Sequence, residues 1–217
     1  MAERITYAVG AHEPIFHRMR TGNSTAEEWA RWERETSEAN LDLLGELGVT
    51  HAHIACCKGF GLEYEKPLIE RAARFAEAAA ARGITTAVYV QGWPVYYETF
   101  LKEVPEAADW FARDQYGEVI PWGAQTFRRW IDPTCEAFHE YQWRLLEYVL
   151  HQLTPTAIGM DNTVPAGFCY TESSLASWRA YLRERFDEAE AVRQLGIPDF
   201  DCVDLPRFDP IYFPPDA

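Results

Sequence analysis

The stretch VTHAHIACCKGFGLEYEKPLIERAARFAEAAAARGITTAVYV, residues 49–90, decides the fold class of this chain. It opens with an apolar run typical of a buried strand, residues 49–56, and closes with another, residues 84–90. A strand, a crossover helix and a second strand form a βαβ unit, which predicts a parallel sheet. Gly83 marks the end of the helix. The apolar positions that recur at helical spacing between the strands are Leu68, Ala72, Phe75, Ala76 and Ala79.

The same alternation continues on both sides of this unit. Short apolar runs at 5–9 and 156–160 predict two more strands. Helices are expected after each strand, with a short last helix at 188–195. Four β-α units in order allow two architectures, a doubly wound sheet or a TIM-barrel-like fold. A full barrel typically needs about 250 residues, so we expect one α/β domain over residues 1–217, made of about four (β/α) units as a partial or shortened barrel, the N-terminal half of a longer one.

Helix ends are also marked in the sequence. Thr25 and Glu28 have capping-box spacing, and one helix is expected from there to Leu47. Asp132 followed by Pro133 predicts the N-cap of a later helix. The expected buried side of the first helix comprises Trp29, Trp32, Leu43, Leu44 and Leu47.

Composition excludes several classes of protein. Lys plus Arg number 20 against 34 Asp plus Glu, giving a net charge of −14, which argues against nucleic acid or an anionic membrane as the main partner. No apolar run approaches the roughly 18 residues of a membrane span, and no apolar signal core follows Met1. Five cysteines, an odd number, predict no disulfide framework, and Cys56 and Cys57 are expected to be inert buried thiols. The expected location is the cytoplasm.

Candidate site residues follow the predicted strands, because parallel α/β proteins collect their chemistry at the carboxyl ends of strands. Carboxylate, imidazole, ammonium and amide groups occur there, and aromatic residues make up 14% of the chain. This combination suits a carbohydrate, whose hydroxyls bind polar groups and whose ring face stacks on an aromatic side chain. No cofactor and no metal are expected. The candidates for sugar binding are His12, Lys58, Trp93, Trp130 and Asn162, with Asp161 and Glu13 as the catalytic pair.

Several segments together resemble the glycoside hydrolase barrels grouped with the α-fucosidases and the family 42 β-galactosidases. They are HEP at 12–14, HIACCKGFGLEYE at 53–65, WIDPTCEAFHEY at 130–141, IGMDN at 158–162 and the stretch 169–208. Family 42 enzymes end strand four with Asn-Glu, where this chain has Asp161-Asn162. The resemblance therefore implies the α-fucosidase pattern, in which an Asp ending strand four is the nucleophile. It also implies a second carboxylate from the later half of the barrel; within this chain Glu13, Glu63 and Glu172 are available.

The expected function is hydrolysis of a glycosidic bond with retention, Asp161 attacking the anomeric carbon while a second carboxylate protonates the leaving oxygen. One alternative is a non-catalytic carbohydrate-binding or assembly protein. Another is a metal-dependent isomerase or hydrolase that uses the pair His51 and His53, although a packed role is favoured for both. Exposed sheet edges of a partial barrel also predict a homo-oligomer.

Overall fold

A computed structural model describes residues 5–9, 24–164 and 167–207 of the chain. Strands and helices alternate along it, with one antiparallel insertion. In chain order the elements are β1 Thr6–Val9, α1 Ala26–Glu35, α2 Glu38–Glu46, β2 His51–Cys57, α3 Leu62–Ala80, β3 Thr85–Gln91, β4 Pro94–Tyr96, α4 Tyr97–Glu103, a 3₁₀ helix Pro105–Trp110, β5 Pro121–Trp122, β6 Gln125–Trp130, α5 Glu136–Gln152, β7 Ala157–Asp161, α6 Glu172–Arg185, α7 Glu188–Leu195 and a 3₁₀ helix Phe200–Cys202.

The main sheet has four parallel strands in the order β1-β2-β3-β7. Each strand lies beside the one that precedes it in the β-α series, so the order never reverses. A doubly wound sheet reverses at a switch point, whereas a barrel adds its strands in sequence. The fold is therefore α/β with about four TIM-barrel-like units, a partial or shortened barrel.

One face of this sheet is covered by helices. Ile54 and Val88 point from β2 and β3 into a core that includes Ile69 and Phe75 of α3 and Val149 of α5. Because side chains alternate along a strand, His53, Tyr89 and Asp161 lie on the opposite face. The polar side chains near the carboxyl ends of the strands lie on that opposite face.

The first predicted helix is in fact two helices. The capping box of Thr25 and Glu28 is confirmed, but the helix ends at Glu35 and Ser37 caps a second one by accepting a hydrogen bond from the Asn40 amide. The break rotates the second helix, so Leu41 is buried in place of Leu43 and Leu47, which are 50% and 65% exposed. The prediction of a single buried stripe was wrong for these two leucines.

Asp132 has a different role from the one predicted. Helix α5 begins at Glu136 after Cys135, so Asp132 is not its N-cap. Its buried carboxylate instead accepts hydrogen bonds from Thr134 and from Ser174 at the start of α6. Asp132 therefore joins the third β-α unit to the fourth. The short helix predicted at 188–195 is confirmed.

Residues 92–131, for which the sequence predicts no elements, form an insertion after β3. Strands β4, β6 and β5 make a small antiparallel sheet, in that order. Phe100 and Ile131 pack with Phe138 and Tyr141 of α5 in a second core. The Tyr96 amide donates to the Gly59 carbonyl over 2.8 Å, which holds the insertion against the end of β2.

His51, Cys56 and Cys57 of β2 are buried. His51 is 5% exposed, and its Nδ1 lies 2.8 Å from Oγ1 of Thr85. Cys56 and Cys57 are buried as predicted; the neighbouring Cys56 thiol, followed by burial, raises the pKa of Cys57. Within the described ranges no three His, Cys, Asp or Glu side chains lie together as a metal site requires. None of the helices in those ranges is both long and apolar enough to cross a membrane.

Candidate functional site

A cavity of about 260 Å³ lies at the carboxyl ends of β2, β3 and β7, beside the antiparallel insertion. A larger cavity, about 580 Å³, lies at the opposite ends of β3 and β7. We place the site in the smaller one, because parallel α/β folds present reactive side chains at the carboxyl ends of strands. Its lining consists of Lys58, Tyr89, Gln91, Tyr96, Trp122, Gln125, Arg128, Asp161 and Asn162.

Asp161 is the carboxylate of this cavity among the described lining residues. It is the last residue of β7, and its Oδ2 accepts hydrogen bonds from the Tyr89 hydroxyl at 2.8 Å and from Asn162 Nδ2 at 3.0 Å. Its Oδ1 accepts from the Asn162 amide at 2.8 Å. Asn162 adopts a φ of 54°, a conformation that Asn tolerates better than most residues. These three donors hold the carboxylate in a fixed orientation.

Tyr89 acts as a donor to this carboxylate. Burial, followed by the hydrogen bond to Asp161, raises the pKa of the Tyr89 hydroxyl. The hydroxyl therefore keeps its proton at neutral pH. Its ring also faces Lys58, whose Nζ lies 3.8 Å from the ring centroid. One aromatic side chain thus positions both a carboxylate and an ammonium group.

Lys58 enters the cavity from the loop that follows β2. Gly59 and Gly61 shape this loop, with φ angles of 86° and 106°, and a Cβ at Gly59 would come within 2.6 Å of the Pro94 carbonyl oxygen. Lys58 itself is 9% exposed. Burial, followed by the nearby charge of Arg128, lowers the pKa of Lys58 to about 8, although Asp161 acts in the opposite direction.

The carboxylate of Glu65, on α3, holds the same loop through its backbone amides. Its Oε1 accepts hydrogen bonds from the amides of Lys58 and Gly59, the latter at 3.0 Å. Its other oxygen, Oε2, is buried without a hydrogen-bond partner in the described structure. Burial raises the pKa of Glu65 to about 7, against the lowering effect of the amide donors. Glu65 does not line the cavity, so its role is to position Lys58.

Arg128 of β6 forms the wall contributed by the insertion. Its Nη2 donates to Oε1 of Gln91 over 2.7 Å. Its guanidinium carbon lies 4.3 Å from the ring centroid of Trp122 and 5.1 Å from that of Tyr96. Arg128 is 4% exposed, and burial lowers its pKa.

The backbone beneath the cavity is closely packed. The Gly92 amide donates to the Asp161 carbonyl over 2.7 Å, and the Trp93 amide donates to the Asn162 carbonyl over 3.2 Å. A Cβ at Gly92 would lie 2.7 Å from the Asp161 carbonyl oxygen. Only glycine therefore fits where the segment after β3 approaches the end of β7.

The structure brings three predicted site residues together and separates two others. Lys58, Asp161 and Asn162 line one cavity. Trp93 lies outside it, with its ring centroid 6.0 Å from that of Phe138 and 5.7 Å from that of His139. Trp130 is partly buried on β6 opposite Pro94 and does not line the cavity either. The predicted residues His12 and Glu13 lie outside the described residues.

The other carboxylates considered for catalysis lie away from the cavity. Glu63 is on α3, and its Oε1 pairs with Nζ of Lys66 at 2.5 Å. Glu172 is the exposed first residue of α6. Neither lines the cavity, and no second Asp or Glu does so among the described residues.

Gln91 follows the apolar run of strand three and so belongs to the strand-end residues that the sequence indicates, but Tyr89, Trp122 and Arg128 in the same wall were missed. Tyr89 was accessible to sequence reasoning, since alternation places it on the same face of β3 as Gln91, which ends the strand. Trp122 and Arg128 carry no such signal, because their positions depend on the antiparallel sheet of the insertion.

No protein-family model matches this chain, and no curated protein does. Among solved structures, the chain is similar to the α-galactosidase of Thermus thermophilus in complex with stachyose, with a TM-score of 0.51 and 16% identity over 85% of this chain and 38% of that one. The same enzyme in complex with p-nitrophenyl α-D-galactopyranoside gives a TM-score of 0.49, with 16% identity over 85% of this chain and 36% of that one.

A maltogenic α-amylase from Thermotoga neapolitana gives a TM-score of 0.47, with 14% identity over 85% of this chain and 44% of that one. This chain spans less than half the length of these three matched structures. At such identities the likeness concerns the fold alone. The chain therefore shares its partial barrel fold with part of a longer α-galactosidase chain.

Proposed function

We propose that this chain carries the nucleophile side of a retaining glycoside hydrolase site, with Asp161 as the nucleophile. One observation carries the proposal: the Asp161 carboxylate ends the fourth parallel strand and faces a cavity, held there by hydrogen bonds from Tyr89 and Asn162. This position agrees with the α-fucosidase pattern stated for strand four. We also propose that the chain is related to the α-fucosidase and family 42 β-galactosidase barrels.

In the proposed reaction an Asp161 oxygen attacks the anomeric carbon of a bound sugar while the glycosidic bond breaks. Lys58 and Asn162 bind sugar hydroxyls, and Tyr89 holds Oδ2 so that Oδ1 faces the substrate. A second carboxylate protonates the leaving oxygen and later activates water. Glu13 is the proposed second group within this chain; a carboxylate from further (β/α) units is the alternative.

A non-catalytic sugar-binding protein is the second candidate. It is favoured by one observation, that Asp161 is the sole carboxylate among the described lining residues.

The two candidate functions differ in whether the protein turns over a glycoside. Aryl glycosides with activated leaving groups need little help from an acid, so the parent should hydrolyse one or more of a panel and Asp161→Asn should lose roughly three orders of magnitude or more in kcat. A parent that binds sugars and hydrolyses none of the panel would support the binding protein.

A further inference from the structure

Arg128 is a buried cation without a counterion in the described structure. It is 4% exposed, yet no described carboxylate lies within ion-pair distance of its guanidinium. Of its five N–H donors, one is used in the bond to Gln91, and Nε is buried with no acceptor. Buried charges are normally paired. The guanidinium therefore has unused capacity for an anion.

The guanidinium is also held in a fixed position. The rings of Trp122 and Tyr96 lie 4.3 Å and 5.1 Å from its carbon atom, and Gln91 fixes Nη2. A donor held in advance loses little conformational freedom when it binds a ligand. Guanidinium groups are suited to carboxylates and phosphates, which they bind through paired hydrogen bonds.

The charges around Arg128 add to this preference. Lys58 lines the same cavity and feels the positive charge of Arg128. The described lining thus holds two cations and one carboxylate, in a chain whose net charge is −14. Asp161 is already engaged by Tyr89 and Asn162. A bound anion would compensate the positive charges that burial leaves poorly solvated.

We propose that the sugar recognised in this cavity carries an anionic group, bound by the guanidinium of Arg128 together with the ammonium of Lys58. The inference rests on the proposed carbohydrate function and names its substrate class. A volume of about 260 Å³ is below the roughly 300 Å³ at which drug-sized pockets begin, so one sugar ring is the expected occupant. The anionic group is the carboxylate of a uronic acid or the phosphate of a sugar phosphate.

Calorimetric titration of the full chain distinguishes these cases. The probes are D-galacturonate, D-glucuronate and D-glucose 6-phosphate, with D-galactose and D-glucose as neutral counterparts. We expect at least one anionic sugar to bind about 10-fold to 100-fold more tightly than its neutral counterpart, as charged hydrogen bonds allow. Tight binding of the phosphate alone supports the proposal and assigns the phosphate source. Equal binding of neutral sugars, or no binding of any probe, overturns it.

Two variants locate the effect. Arg128→Gln should abolish the preference for the anionic sugar, whereas Arg129→Gln should keep it, because Arg129 faces Tyr97 outside the cavity.

If Arg128→Gln fails to fold, the pH dependence of anion binding by the parent protein tests the proposal instead. Lys58, which Tyr89, Arg128, Asp161 and Glu65 surround, has a pKa of about 8, so affinity for the anion should fall as pH rises through 8. Lys58→Met should remove this fall, and a flat parent profile contradicts the proposal.

The outcome is separable from that of the proposed hydrolase activity. Asp161-dependent hydrolysis of neutral glycosides, without preference for anionic sugars, would overturn this inference alone. Tight binding of an anionic sugar without hydrolysis of any aryl glycoside would overturn the hydrolase alone.

Discussion

The hydroxyl of Tyr89 donates a hydrogen bond to Oδ2 of Asp161 across 2.8 Å, and so links β3 to β7 at the cavity. The two residues lie on neighbouring parallel strands, where Tyr89 is opposite Gly159 in register. A Cβ at Gly159 would lie 3.2 Å from Nε2 of His53, and Asp161 follows Gly159 two residues later on the same face. Strand register therefore positions the carboxylate that the proposed reaction requires.

Glu65 makes stability depend on pH. Burial raises its pKa from 4.5 to about 7, so the folded state favours the protonated acid. The contribution of Glu65 to the free energy of unfolding is therefore fully present below pH 4.5, and it is lost as pH rises towards 7. At about 1.4 kcal/mol per pKa unit, the loss is about 3 kcal/mol. Glu65→Gln keeps an oxygen for the loop amides and cannot ionise.

Urea unfolding of the parent and Glu65→Gln at pH 5 and pH 8 measures this effect. The free energy of unfolding of the parent should fall relative to that of Glu65→Gln between these two pH values. Parallel pH dependence of the two proteins would show that Glu65 ionises without cost in the folded state.

The close contact at Gly92 gives a second prediction. Gly92→Ala places a methyl group 2.7 Å from the Asp161 carbonyl oxygen, so the backbone must shift and stability should fall by about 1–3 kcal/mol. Gly45→Ala is the matched control, because Gly45 lies in α2 with no atom within 4 Å of the added Cβ. It should raise stability by about 0.5–1 kcal/mol. Thermal unfolding of both variants tests the difference, and a Gly92→Ala protein as stable as the parent contradicts it.

Two tryptophans should respond differently to removal. Trp93 packs against Phe138 in a core cluster, so Trp93→Ala should cost about 3 kcal/mol of stability. Trp122 covers Arg128 in the cavity, so Trp122→Ala should cost about 1 kcal/mol and weaken sugar binding more strongly. Unfolding curves and sugar titrations on both variants give the answer. If Trp93→Ala folds like the parent and loses sugar affinity, Trp93 belongs to the binding site, as its position after β3 first predicted.

Self-association is the fourth prediction. In the described structure β1 and β7 are the edges of the parallel sheet, and Tyr7 and Met160 on them are 38% and 44% exposed. Unpaired edges with apolar side chains favour pairing with another chain. Light scattering should therefore report a dimer or larger assembly, and Met160→Lys should shift it towards the monomer. A 25.0 kDa species at every concentration would contradict this expectation.

The sequence predicted the parallel units well because buried strands form continuous apolar runs. Strands β2 and β3 begin and end within two residues of the predicted ranges. The insertion was not predicted, since β4 and β5 are only 3 and 2 residues long and depend on pairing with β6. The helix break was not predicted, because apolar residues continue past Ser37 at helical spacing, although serine is a preferred N-cap residue.

The candidate site was predictable to the extent that it follows strand ends. Lys58, Asp161 and Asn162 come directly after or at the end of apolar runs, and they share the cavity. Arg128 contributes the anion-binding wall, but nothing in QTFRRW, residues 125–130, indicates that its guanidinium lies beside Gln91. That contact depends on how the insertion folds over the end of β3.

Trapping of a glycosyl-enzyme tests the central claim most directly. Incubation with activated 2-deoxy-2-fluoro glycosides of both anomers, neutral and uronic, forms a long-lived ester on the nucleophile without requiring the second carboxylate. Mass spectrometry of the digested protein should then show one added sugar on the peptide that contains Asp161, and none on Asp161→Asn. Absence of the added mass with every reagent, or the same labelling in Asp161→Asn, would contradict the assignment of Asp161 as the nucleophile.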